Sequence, residues 1–283
     1  MIDAFLASWP LFQMTYLSGW AIAFVLALVG VWVVARDQIF LGVAVAQAST
    51  LGVAAALWLG GLGAGAAIAH LGDDVVVAAL AVVASIATAL ATVLRRAGAE
   101  SAEAVTGWVF LVAASVPTLL LASDPHGLEE VHQLLFSTLI GATRVDLGVF
   151  VGLALLTALL AGRHHETLRL LAIDPDHVDA VGLRGRAWRA ALAVWLGLAV
   201  GLSIRVSGTL YTFGCLVLPA LVVKHLARDV RTMMIAAPAV AVAAAVVGFV
   251  LANHLDTPPA HATVALLCAL LAAAWIRAGL SRD

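Results

Sequence analysis

The residues of this chain with metal-binding chemistry are histidines and carboxylates at the edges of long apolar runs. His70 and Asp73, His126 and His132, and His254, Asp256 and His261 are the candidates. Imidazole nitrogen and carboxylate oxygen are ordinary ligands of divalent transition metals. No two of these histidines have close ligand spacing, however, and a solvated loop residue is the competing reading for each. Asp124 is a further carboxylate near them. A second set, His164, His165, His177 and His225, sits among basic residues and suits contacts with headgroups or with a soluble partner. The apolar runs hold no nucleophile–base grouping, HExxH or paired-cysteine motif, so no catalytic residue is expected. The single lysine, Lys224, follows no glycine-rich loop. Any ATP used by this protein must therefore be bound by another chain.

The longest polar connection, Gly162 to Trp188, reads GRHHETLRLLAIDPDHVDAVGLRGRAW. Asp174 can serve as the N-cap of a helix, Pro175 loses no donor at the first helical position, Asp176 suits the positive end of the dipole, and Gly182 can stop the helix after Ala180. A helix of about two turns is predicted. It is either an amphipathic connector or a helix that docks into a groove on a soluble partner.

The elements that carry these residues follow from composition. The chain has 283 residues, 63% of them hydrophobic and 11% charged, against about 25% charged in a soluble domain. Nine apolar runs are long enough to cross a bilayer: Leu17 to Val34, Ile39 to Gly60, Val75 to Leu94, Ala104 to Ala122, Val145 to Ala161, Ala190 to Val206, Gly208 to Val223, Met233 to Ala252 and Ala262 to Ile276. The seventh is short and contains Pro219. An all-α, polytopic transmembrane bundle of about 8–9 spans is expected. With the N-terminus outside, 13 of the 15 Lys and Arg residues fall on the cytoplasmic side and only Arg144 and Arg205 outside, as the positive-inside rule requires. Residues 1–16 are read as an interfacial segment anchored by Trp9 and Phe12, and no basic signal-peptide region precedes Arg36. Arg205 is read as an anchor at a membrane boundary. A net charge of -2 offers no basic face for nucleic acid. Cys215 and Cys268 lie within apolar runs and are read as core residues. Gly148-x-x-x-Gly152 and Gly197-x-x-x-Gly201 would permit close helix approach.

DPDHVDAVGL, followed after one span by SIRVSGTLYTFGCLVLPALVVKHLARDVR and then HLDTPPAHATV, resembles the zinc and manganese permease family of ATP-binding-cassette importers. IFLGVAVAQASTLGVA and HQLLFSTLIGATRVDL fit the same pattern, so the resemblance covers nearly the whole chain. It implies a single permease domain over residues 1–283, with residues 162–188 as the cytoplasmic coupling loop, in a multi-pass protein of the plasma (inner) membrane. It also implies two cytoplasmic ATPase subunits holding ATP and Mg, an extracytoplasmic metal-binding protein, a second permease chain, and Zn or Mn as solute. Asp174, Pro175, Asp176, Ala180 and Gly182 would form the coupling helix. Members of that family carry Gly-Asp-x-x-x-His-Ala in the second span, where this chain has Gly42, Val43 and Gln47. Val43, Gln47 and Pro219 are the path candidates. A gradient-driven secondary carrier and a partner permease that binds no metal are the alternatives.

Overall fold

Long runs of Ala, Val and Leu satisfy their backbone polar groups within helices, the one open-chain solution inside hydrocarbon. A computed structural model describes residues 2–61, 73–94, 101–122, 139, 141–174, 178, 182–227 and 229–280. In it the runs form α1 (Ile2–Ala35), α2 (Ile39–Gly61), α3 (Asp73–Val93), α4 (Ala102–Leu121), α5 (Arg144–Arg163), a short α6 (His165–Ile173), α7 (Gly185–Lys224), α8 (Val230–Leu255) and α9 (Pro259–Leu280). No strand occurs among the described residues. Eight of these helices are long and apolar enough to span a membrane. The protein is a multi-pass, all-α membrane protein.

The chain divides into two compact units. Residues 1–38, 138–185 and 210–283 form the first; residues 39–137 and 186–209 form the second. In the first, α1 packs against α5 and α8, and α8 against α9. Small residues set these distances. A Cβ on Gly30 would strike the Leu216 carbonyl, and one on Gly248 would lie 2.7 Å from Thr263 Cα. Tyr211, fully buried, donates its hydroxyl to the Gly19 carbonyl at 2.9 Å. In the second unit α2 packs against α3 and α4.

Residues 2–16 belong to α1 yet do not prolong it straight. Phe5 stacks on Tyr16 at a centroid distance of 4.8 Å, and the Ser8 and Tyr16 hydroxyls are 3.2 Å apart. Eleven residues of straight helix would hold Phe5 and Tyr16 about 16 Å apart. The axis therefore bends near Pro10, where the ring clashes with the preceding turn.

The sequence separates Ala190–Val206 from Gly208–Val223, whereas α7 joins them in one 40-residue element broken at Gly208 (φ 71, ψ 173). Only glycine reaches that conformation without strain. Such a length, about 60 Å, is twice the hydrocarbon thickness. At the end of α7, Lys224 Nζ contacts Asp37 Oδ1 at 2.7 Å, just beyond the end of α1. Trp275 Nε1 donates to His225 Nε2 at 2.9 Å, bringing the end of α9 to the same place. With α2, α3, α4 and α5 each crossing once, Asp37 and Lys224 share a side only if α7 crosses an even number of times. Two crossings meet that condition and one does not.

Candidate functional site

Residues four apart on a helix share a face. Along α2, Val43, Gln47, Leu51 and Ala55 are half-buried, while Leu41, Gly42, Ala44–Ala46, Ala48–Thr50 and Gly52–Ala54 are buried. Val43 and Gln47 therefore stand one turn apart on the open stripe of a helix that is otherwise buried between Leu41 and Ala56. The stripe is apolar apart from the Gln47 amide, a neutral donor and acceptor that is a weak ligand for a transition metal. Pro219 is buried within α7 in the other unit. Arg205 is half-buried, three residues before the Gly208 break.

The connection between α5 and α7 begins with an amphipathic helix. On α6, Leu168, Leu171 and Ala172 are buried, while Glu166, Arg169 and Ile173 are exposed. Asp174 is the C-terminal cap of α6, with its N–H on the Leu170 carbonyl and an extended backbone (φ -143, ψ 89). That conformation lies outside the helical region, which a residue before proline avoids. Pro175, Asp176, His177 and Ala180 lie outside the described residues. Val178 is helical and fully buried. Gly182 takes φ +80, and the Leu183 N–H reaches back to the Val178 carbonyl at 3.2 Å. This 6→1 bond across a left-handed glycine is a Schellman stop. A cavity of about 340 Å3 lies between α6 and this stop, lined by Glu166, Thr167, Arg169, Leu170, Ile173 and Leu183.

At the opposite set of helix ends, His254 and Asp256 are exposed at the close of α8, and His261 is half-buried in the first turn of α9. Asp256 caps α8 in the left-handed region (φ 51). Asp73 is the first residue of α3, and His70, Asp124, His126 and His132 lie outside the described residues. No group of three His, Cys, Asp or Glu residues able to hold a metal occurs among the described residues.

Two structural contacts have weak or no signal in the sequence. Thr143 and Asp146 form a reciprocal capping box at the start of α5, a T-x-x-D spacing visible in the chain. The Lys224–Asp37 pair has no local signal, because 187 positions separate the two residues.

Residues 8–278 match the ABC 3 transport family. The chain is 23% identical over 253 residues to the chelated iron transport system membrane protein YfeD of Yersinia pestis, covering 88% of this chain and 79% of that one. It is 24% identical over 176 residues to the manganese transport system membrane protein MntB of Synechocystis sp. (62% and 57% coverage). Among solved structures, PsaBC from Streptococcus pneumoniae in complex with Fab shares the fold at TM-score 0.80 and 16% identity, over 97% of this chain and 95% of that one. A metal-chelate type ABC transporter in an inward-facing conformation matches at TM-score 0.74 and 15% identity, over 94% and 87%.

Proposed function

The chain belongs to the ABC 3 transport family, and from that premise we propose that it is the permease subunit of an ATP-driven importer of divalent transition metals, zinc or manganese. The open stripe of α2 through Val43 and Gln47 is the observation that carries the path. ATP and Mg are held by cytoplasmic partner subunits, which engage the 162–188 connection. There Ile173 and Leu183, exposed to 64% and 38%, offer apolar contacts rimmed by Glu166 and Arg169, and the Schellman stop at Gly182 fixes the direction in which the chain enters α7. ATP binding in the partners moves this connection and shifts the permease between outward- and inward-open states. An extracytoplasmic metal-binding protein delivers the solute, which supplies the selectivity that a Val–Gln pair lacks.

The neutral chemistry of Val43 and Gln47 favours one second reading, a permease that pairs in a heterodimer with a chain carrying the metal ligands. Co-expression with the candidate ATPase tests the assignment. The complex should copurify and hydrolyse ATP faster when the loaded binding protein is added. An ATPase that neither copurifies nor responds contradicts it.

A further inference from the structure

A groove of about 460 Å3 opens between α1, α5 and α8 of the first unit. Its walls are apolar, formed by Phe24, Leu28, Ala158, Met234 and Ile235, and its mouth carries Arg231 and His165. Ile235 is 70% exposed, so the groove opens to the surroundings at its α8 wall. Phe24 lies eleven residues before the end of α1 at Ala35. That is about 16 Å along the axis, and one leaflet of the hydrocarbon core is about 15 Å deep. Phe24, on the α1 wall of the groove, thus lies at about the depth of a single leaflet.

The mouth lies among the helix ends where arginine concentrates, the cytoplasmic side by the positive-inside rule. Its carboxylates are already engaged. Glu166 lies 3.2 Å from His165 Nε2 and 3.8 Å from Arg169. Asp229 accepts from the Thr232 N–H at 2.9 Å and feels the charges of both Arg169 and Arg231. Arg231 is exposed, with a planar fork of donors suited to a phosphate. We propose that this groove is a binding site for an anionic phospholipid of the cytoplasmic leaflet, with its phosphate on Arg231 and one acyl chain against Phe24, Leu28 and Met234. Basic residues at the mouth of an apolar inter-helix pocket are the chemistry that selects such a headgroup.

The proposal does not depend on the transport assignment, and its test reads lipid directly. The full chain, purified in mild detergent, is titrated with phosphatidylglycerol and with phosphatidylethanolamine, and bound lipid is counted by native mass spectrometry. Phosphatidylglycerol should be retained in preference. Arg231→Gln should lower its retention about fivefold, the effect of one basic residue at an anionic surface, and leave phosphatidylethanolamine unchanged; Arg231→Lys should keep most of the preference. Ala158→Trp, which fills the groove from an exposed position, should reduce both lipids. A phosphatidylglycerol with a diazirine in its acyl chain should label the peptide carrying Met234 and Ile235. Equal retention of the two lipids, an unchanged Arg231→Gln variant, or labelling confined to other helices would overturn the proposal. So would protection of the groove by a second copy of the chain.

Discussion

Lys224 Nζ and Asp37 Oδ1 meet at 2.7 Å across 187 positions of sequence, tying the end of α7 to the turn after α1. Asp37 itself takes φ 53, a left-handed conformation that Asp tolerates better than most residues. The pair fixes the parity of the membrane crossings between its two members. Its energetic weight is small. Both side chains are exposed, so Asp37→Ala should lower stability by less than about 1 kcal/mol. In a background lacking Cys215 and Cys268, Asp37→Cys with Lys224→Cys should cross-link through a short bifunctional reagent, and both positions should label from the cytoplasmic side only. Labelling from opposite faces would remove the two-crossing reading of α7.

The two small-residue motifs predict opposite outcomes. Cβ atoms on Gly197 and Gly201 would collide with Ile86 and with Val82 and Ser85 of α3, whereas Gly148 and Gly152 have nothing within 4 Å. Gly201→Val should destabilise the protein by at least about 1–3 kcal/mol through overpacking. Gly152→Val should stay within about 0.5 kcal/mol. Thermal unfolding in detergent, followed by intrinsic fluorescence, separates them; equal losses would refute the packing of α7 on α3.

Asp229 at the start of α8 gives a pH signature. Hydrogen bonds from the Thr232 side chain and backbone, then the charges of Arg169 and Arg231, hold its carboxyl below the ordinary Asp value. A lowered folded-state pKa contributes stability that is present above the unfolded pKa and lost as pH falls through the folded one. Asp229→Asn should therefore flatten part of the acid limb of the stability profile and leave the neutral region little changed, since Asn also caps. Superimposable acid limbs in the two proteins would contradict this cap.

Most of the fold was legible because hydrocarbon leaves so few backbone solutions. Each of the nine expected runs lies within a helix to within one residue at its end, and the break between the sixth and seventh is Gly208 rather than a polar loop. A break made by one residue with φ 71 leaves hydropathy uninterrupted, so no window over the sequence can distinguish a kink from a turn. The fold-back of Phe5 onto Tyr16 was not legible, because it depends on side-chain packing. Gly182 was legible as a helix stop because left-handed glycine at that position has its own chemistry. The Arg231 groove was not, because its walls come from three helices far apart in the chain.

Gln47 marks where the site departs from the ligand set implied by the family resemblance. Because Val43 and Gln47 share the open stripe of α2, Val43→Asp with Gln47→His should set a carboxylate and an imidazole one turn apart and create zinc binding in the isolated permease. Calorimetry on the purified protein reads the gain. Micromolar zinc binding already present in the wild type, and unchanged by the double substitution, would place the zinc site away from the Val43–Gln47 face of α2.

Metal uptake into proteoliposomes separates ATP-driven import from gradient-driven transport. The permease is reconstituted with its ATPase and binding protein, and initial rates of radiolabelled manganese and zinc entry are followed with ATP, without ATP, and with an imposed ion gradient alone. One of these metals should enter only with both ATP and the ATPase subunit present, and its entry should fall when Gly182→Trp distorts the stop before α7. Entry driven by the gradient alone, indifferent to ATP and to Gly182, would contradict it.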